Sequence, residues 1–204
     1  MQEQEVIRTL QNQLNFTAKN ISDIKIFINE LLKANKKHNF ISKSTEQEIW
    51  HRHILDSAQL VKFIDFSKSS LSDLGSGAGF PGLILALFNP NKNFHVKLYE
   101  KSPVKRAFLE EIINKLSINV QVCGNIYEEL IDSDYIVTRA FKKFEAVIQV
   151  SREIAQKSHK LIVLKGQNAQ EDVKKAFENE KYSYSLEKSI TNEDSRIIIV
   201  DFKK

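Results

Sequence analysis

The sequence predicts an α/β fold: a doubly wound sheet of about seven strands with a C-terminal antiparallel hairpin and an N-terminal helical extension. Three observations lead to this prediction. Four of the six glycines fall within positions 75–82, between a short apolar segment and a helical one. From about residue 70, short strand-like segments alternate with helical ones. The last two strand-like segments are separated by a short polar turn, which indicates the hairpin.

Residues 1–66 are predicted to be helices packed on the core, and residues 67–204 to form the sheet domain. Ile7, Leu10 and Leu14 recur at helical spacing, and neither glycine nor proline precedes Gly75. The basic segment 33–44 interrupts the pattern as a predicted loop. Ser44 or Thr45 then resembles a capping box that begins the next helix, which continues over 50–63.

The remaining elements follow from the pattern of apolar residues and from the glycines and prolines. Strands are predicted at 71–74, 94–100, 118–124, 134–140, 160–166, 182–190 and 196–202, and helices at 83–88, 103–116, 142–157 and 168–179. In such sheets, ligands bind beyond the carboxyl ends of the strands. The glycine turn, Glu100, Arg139 and Lys165 all follow strands, so we expect them to share one cleft.

Composition limits the possible environments and partners of the chain. One cysteine, Cys123, fits a reducing compartment and leaves no multi-thiolate metal site. The N-terminus is polar, and no apolar run approaches the roughly 18 residues that span a bilayer. His51 and His53 would face apart on a helix, which disfavours a shared metal. We therefore expect a cytoplasmic, metal-free monomer, and the net charge of +4 permits a polyanionic partner.

The glycine turn has two possible cofactors. Gly77 to Gly82 matches the dinucleotide pattern GxGxxG, so an NAD-dependent oxidoreductase remains an alternative. However, Asp73 places a carboxylate where a pyrophosphate would be repelled, and Pro81 stiffens the turn. S-adenosylmethionine carries a sulfonium, an amino group and a ribose diol, which suit the carboxylates of Asp73 and Glu100. The residues therefore favour S-adenosylmethionine, bound with the help of Gly75, Gly77 and Gly79.

The segment from Asp73 to Gly82, DLGSGAGFPG, resembles motif I of the class I (Rossmann-like) methyltransferases. With Phe80-Pro81-Gly82 it is most similar to the RsmG (GidB) family of 16S ribosomal RNA guanine-N7 methyltransferases. Four further segments agree in order, and the strand that begins at Arg196 completes the set. These segments are Asn39-Phe40 with 52–57, 105–109, 138–141 and 164–166.

This resemblance implies methyl transfer from S-adenosylmethionine to N7 of a guanine, nucleotide 527 in the usual numbering, in 16S ribosomal RNA or the small subunit. It implies cofactor contacts at Gly75, Phe80, Ile126, Tyr127, Glu128 and Arg139. It further implies that His53, Lys105, Lys165 and Arg196 serve RNA or site geometry, with Arg139 among the positioning residues. From charge alone, Lys36, Lys37 and Arg106 are added as candidate RNA contacts.

The sequence departs from the family at one position, because Gly124-Asn125-Ile126 stands where the family usually has an arginine after the third strand. Guanine N7 carries an exposed lone pair, so its methylation requires positioning and no general base. Consistent with this, the sequence has no convincing His/Asp dyad. A regulator that binds the cofactor without turnover remains a third possibility.

Overall fold

The structure, a computed structural model, describes residues 2–139, 141–178 and 182–204. Two predicted features include residues outside these ranges. Ala140, within the 138–141 segment, and residue 179, the predicted end of the last helix, lie outside the described residues.

A seven-stranded sheet forms the centre of the molecule, as predicted. Its strands are β1 (Ser70–Leu74), β2 (His95–Tyr99), β3 (Val120–Cys123), β4 (Tyr135–Arg139), β5 (His159–Lys165), β6 (Ser183–Lys188) and β7 (Arg196–Phe202). They lie in the order β3-β2-β1-β4-β5-β7-β6. The order reverses between β1 and β4, which places the switch point directly beyond the glycine turn.

The direction of the strands confirms the predicted hairpin. β1 to β5 pair in parallel, whereas β7 is antiparallel to both β5 and β6. The register places Lys165 opposite Arg196 and Arg196 opposite Lys188. Paired residues in a sheet project on the same face, so three cations lie side by side at this edge.

Helices cover both faces of the sheet. They are α1 (Glu3–Leu14), α2 (Ala18–Asn35), α3 (Lys43–Glu46), α4 (Asp56–Ala58), α5 (Gly82–Phe88), α6 (Pro103–Leu116), α7 (Phe144–Ile154) and α8 (Ala169–Ala176). α1, α2, α4, α5 and α6 contribute to the core on one face, and α7 and α8 to the core on the other. β4 and β5, at the centre of the sheet, are apolar along most of their length because both of their faces are buried.

The N-terminal helices share a single hydrophobic core with the sheet. Phe27 of α2 lies 5.5 Å from the ring of Phe80 and 6.3 Å from that of Phe108, measured between ring centroids. Val6, Leu10 and Leu14 of α1 are also buried. The division at 66/67 stays a prediction.

The segment between α2 and the sheet differs from the prediction in two ways. The predicted capping box at Ser44 or Thr45 is wrong, since α3 begins at Lys43 with Ser42 at the N-cap position. The Ser42 hydroxyl bonds those of Ser44 and Thr45 at 3.0 Å and caps no backbone N–H. The predicted helix over 50–63 is irregular. It is a π-helical turn over Trp50–Leu55, then α4, then a 3-10 turn over Gln59–Phe63.

Gln59 fixes this segment to the turn between β6 and β7. Its side-chain oxygen accepts a hydrogen bond from the backbone N–H of Ile190 at 2.9 Å. Its amide nitrogen donates to the hydroxyl of Ser189 at 3.1 Å.

No described helix is both long enough and apolar enough to cross a membrane.

Candidate methyl-donor and substrate site

Backbone conformation explains the glycines of the turn between β1 and α5. Gly75, Gly77 and Gly79 have φ values of +74°, +58° and +108°, which residues other than glycine rarely adopt. The N–H groups of Gly75 and Ser76 both donate to the carbonyl of Tyr99, at 2.9 and 3.0 Å. The turn is therefore anchored on β2.

Asp73 lies beneath this turn, fully buried. Its Oδ2 accepts a hydrogen bond from the N–H of Gly82 at 2.9 Å, whereas its Oδ1 is buried without a partner among the described residues. Burial raises the pKa of Asp73 to about 7. The structure thus gives Asp73 a contact that shapes the turn and places the carboxyl against the start of α5.

Glu100 follows β2 and lies beside the same turn. Its Oε2 accepts from the N–H of Gly77 at 2.9 Å, and its Oε1 accepts from the N–H of Ser102 at 2.8 Å. Glu100 and the turn are therefore in direct contact, whereas the single cleft that would also include Arg139 and Lys165 stays a prediction.

The space around the glycines distinguishes an open side of the turn from a packed side. A Cβ built on Gly77 would meet nothing closer than the carbonyl oxygen of Gly75 at 3.9 Å. A Cβ on Gly82 would lie 2.5 Å from Leu98 and 2.6 Å from Asp73. Gly77 thus faces an open cradle of the kind that a ligand fills, whereas Gly82 permits close packing of helix on strand.

The predicted cofactor residues after β3 form a short 3-10 helix, Ile126–Glu128, beside this cradle. Ile126 is buried and Tyr127 is 51% exposed. Asn125, in the 124–126 stretch where the resemblance implies an arginine, accepts a hydrogen bond from the N–H of Tyr127 at 3.4 Å. The cation that reaches this helix comes from elsewhere, because the Nζ of Lys142 lies 4.9 Å from the Tyr127 ring centroid.

Phe80 connects the glycine turn to the N-terminal segment. It is buried, and its ring stacks on that of His53 with centroids 4.9 Å apart and planes 27° apart. The guanidinium carbon of Arg139 lies 5.2 Å from the centre of the same ring. The structure thus brings together three of the predicted site residues.

Arg139 is the polar centre of this contact. Its Nη2 is 2.7 Å from the Nδ1 of His53, and its Nη1 donates to the carbonyl of Arg52 at 3.0 Å. The Nη1 is also 3.5 Å from the carboxylate of Asp56. Asp56 in turn accepts from the hydroxyl of Thr191 at 2.9 Å, which joins β4 to the β6–β7 turn.

His53 is neutral in this setting. Burial, with the positive charges of Arg139 and Arg52, lowers the pKa of His53 to about 3. Because Arg139 can only donate, Nδ1 is the acceptor and the proton is on Nε2. That Nε2 is buried without a partner among the described residues.

A cavity of about 510 Å³ opens beyond the carboxyl ends of β4 and β5. Predicted residues His53, Arg139, Lys165 and Arg196 line it, together with Phe141 and Lys142, which the sequence analysis did not identify. Lys165 pairs with Asp172 at 2.6 Å. The guanidinium of Arg196 donates to the carbonyls of Glu193 and Ser195. The strand-end rule predicted Lys165, and the family resemblance implied Arg196, but only the course of the chain after β4 brings in Phe141 and Lys142.

Four predicted RNA contacts lie outside this cavity. Lys36 caps α2 and Lys37 follows it, while Lys105 and Arg106 lie in the first turn of α6. Arg106 donates to the carbonyls of Glu100 and Lys101, at 3.0 and 2.8 Å. Their role in RNA binding stays a prediction.

Within the described ranges, no cluster of three or more His, Cys, Asp or Glu side chains could hold a metal.

Solved structures show the same fold at low sequence identity. A SAM-dependent methyltransferase from Aquifex aeolicus aligns over 72% of this chain and 89% of its own, with a TM-score of 0.56 and 15% identity. TYW2 from M. jannaschii, solved in complex with AdoMet, aligns over 73% of this chain and 74% of its own, with a TM-score of 0.54 and 20% identity. The predicted class I methyltransferase fold is therefore confirmed.

Relatives found by sequence identify the family, which the solved structures at low identity do not. Ribosomal RNA small subunit methyltransferase G of Pelagibacter ubique is 36% identical over 93% of this chain and 91% of its own length. The protein of that name from Rickettsia felis is 35% identical over 88% of this chain and 92% of its own. Residues 20–198 match the GidB family, described as rRNA small subunit methyltransferase G. The chain belongs to the rRNA small subunit methyltransferase G family.

Proposed function

We propose that the protein transfers a methyl group from S-adenosylmethionine to N7 of one guanine of 16S ribosomal RNA, at nucleotide 527 in the usual numbering. The observation that carries this proposal is the open glycine cradle beside a cavity of about 510 Å³ lined by Arg52, Arg139, Lys165 and Arg196. A donor site and a cationic site for an anionic substrate thus share one edge of the sheet.

S-adenosylmethionine is the methyl donor of this reaction and supplies an electrophilic methyl group. Gly75, Gly77 and Gly79 shape the backbone along which it would lie, and the absence of a Cβ at Gly77 leaves that path open. Glu100 places a carboxylate at the end of β2, where a hydroxyl or amino group can be bound. The half-exposed Tyr127 offers apolar surface at the adjacent strand end, whereas Ile126 packs in the core.

The choice of guanine N7 is supported by the state of the two described cavity-lining groups that could act as a base, Asp56 and His53. Asp56 lies 3.5 Å from Arg139 and accepts from the hydroxyl of Thr191. His53, the only histidine among the described cavity-lining residues, uses Nδ1 to accept from Arg139 and has a pKa of about 3. It is neutral at physiological pH, and the lone pair that could accept a proton is occupied. Since N7 needs no deprotonation, the task of this site is to place the base and to exclude water.

RNA binding is proposed at the cations of the cavity and, more peripherally, at Lys36, Lys37, Lys105 and Arg106. Phosphate neutralisation by such groups makes affinity depend on salt. We further propose that the enzyme works in the cytoplasm as a monomer without a metal. Its helical extension, 1–66, and its methyltransferase domain, 67–204, would act as one unit joined at Arg139.

The experiment combines purified protein with small-subunit RNA and labelled donor, followed by mapping of N7-methylguanosine. Label at a single guanine N7 supports the proposal, and label at another atom or none contradicts it. Melting with S-adenosylhomocysteine or NAD separates the alternatives, because a ligand of the folded form raises Tm. Stabilisation by NAD alone would indicate the oxidoreductase, and donor binding without turnover on any RNA would indicate the regulator.

A further inference from the structure

Two aromatic rings next to the cradle converge on a single cation. The Nζ of Lys142 lies 4.9 Å from the ring centroid of Tyr127 and 5.7 Å from that of Phe141. Both distances are within the range in which the negative face of an aromatic ring attracts a cation. Tyr127 is 51% exposed, so its ring is not held there by burial in a core.

No carboxylate accounts for the position of Lys142. Among the described residues its ammonium forms no ion pair, and Glu129, next to the 3-10 helix, accepts from the hydroxyl of Tyr99 at 3.2 Å instead. The two rings are therefore the contacts that the described residues provide for the Lys142 ammonium, and their faces can stabilise a positive charge there.

Phe141 occupies the boundary between the two halves of the proposed site. A Cβ on Gly75 would lie 2.5 Å from its Cδ2, so the ring covers the first glycine of the turn. The same residue lines the cavity that we assign to RNA. A methyl group passing from a donor on the turn to a base in the cavity would cross next to this ring.

The ligands of the proposed reaction are cations at this boundary. The donor carries a sulfonium and the product carries an N7-methylated purine, which is also positive. During transfer the carbon–sulfur bond breaks, the carbon–N7 bond forms and the positive charge passes from sulfur to the purine. An aromatic face beside this path meets one positive charge both before and after the reaction.

We propose that Phe141 and Tyr127 form an aromatic site for this cationic centre, and that the Lys142 ammonium, which lies over both rings, competes for it. This inference rests on the proposed function and adds a positioning role for three residues to it. The proposal also implies a movement of the Lys142 side chain. Because the ammonium repels the incoming sulfonium, it must leave the rings before the donor binds.

The test compares the affinities of S-adenosylmethionine, which is positive at sulfur, and S-adenosylhomocysteine, which is neutral there, by calorimetry. Phe141→Leu keeps an apolar side chain against Gly75 but removes the aromatic face. We expect its preference for the charged ligand to fall by roughly 2- to 30-fold relative to the wild type. Phe141→Tyr, the matched control, should keep the wild-type ratio, and Lys142→Met should shift the ratio towards the charged ligand.

Three outcomes decide the matter. An unchanged ratio in Phe141→Leu, with both ligands bound, overturns the inference and leaves the proposed function intact. Failure of the wild-type protein to bind either ligand overturns both. If Phe141→Leu does not fold, Tyr127→Leu replaces it, since the exposed Tyr127 ring contributes little to the core; an unchanged ratio there likewise overturns the inference.

Discussion

The Nη2 of Arg139 donates to the Nδ1 of His53 across 2.7 Å, and this bond joins the end of β4 to the π-helical turn of the N-terminal segment. It fixes His53 as a neutral acceptor against the face of Phe80. The helical extension and the glycine turn are thereby held in one arrangement, so the environment of the site depends on a contact between residues 86 positions apart.

His53 should make stability fall in acid. Its folded pKa of about 3 is below the unfolded value of 6.5, so the unfolded chain gains a proton first as the pH falls. Between these values the group removes up to about 1.4 kcal/mol of unfolding free energy per pH unit. Denaturation of His53→Asn between pH 7 and 5 should show a flatter profile than the wild type. The exposed His38→Asn is the control, and equal slopes in His53→Asn and wild type would contradict the assignment.

Asp73, in contrast, should make the free energy of unfolding fall as the pH rises. Its folded pKa of about 7 is above the usual 3.8, so its contribution is greatest below pH 4 and is lost as the pH rises towards 7. Asp73→Asn keeps an oxygen for the N–H of Gly82 and cannot ionise. Relative to the wild type, the variant should therefore gain stability between pH 4.5 and 7.5. Urea titrations at the two values measure this difference, and a difference independent of pH would refute it.

Substitution at Gly77 should remove donor binding without unfolding the protein. A valine there would extend into the open cradle, and its backbone would be strained because φ at this position is positive. We expect Gly77→Val to melt cooperatively but to show no rise in Tm with S-adenosylhomocysteine. Gly124→Ala, at a strand end with open space around it, is the control for a neighbouring glycine. Undiminished affinity in folded Gly77→Val would refute this placement of the donor.

Gly82→Ala should instead damage the fold. Its Cβ would lie within 2.7 Å of Leu98 and Asp73, both in the packed interior. Overpacking of this kind costs about 1–3 kcal/mol. Chemical denaturation should show that loss for Gly82→Ala and little change for Gly124→Ala. Wild-type stability in Gly82→Ala would indicate that the helix start can shift away from the strand.

The row Lys165–Arg196–Lys188 should contribute to RNA affinity through salt-dependent contacts. Like charges directly opposite one another destabilise a sheet. Because Lys165 is paired with Asp172, the repulsion that a bound phosphate would relieve is that between Arg196 and Lys188. Lys188→Gln should weaken RNA binding and reduce the slope of log affinity against log salt by about 1. Lys92, exposed just before β2 at the amino ends of the parallel strands, provides the control Lys92→Gln. Equal slopes for the two variants would exclude Lys188 from the RNA interface.

The sequence by itself determined the order of the strands and helices, the hairpin and the glycine turn. These features depend on local rules: apolar periodicity, and backbone angles that only Gly75, Gly77 and Gly79 adopt readily. The carboxyl-end rule also placed Glu100 beside the turn, because parallel strands bring their ends to one edge.

Tertiary structure alone decided which partners these residues have. Asp73 is buried under Gly82, His53 accepts from Arg139, and Lys188 lies opposite Arg196; each contact depends on how distant segments pack or on the register of two strands. No local pattern encodes such pairings, since burial and register arise only when the whole chain is folded. The aromatic site at Phe141 and Tyr127 is of the same kind, because its rings come from loops after different strands.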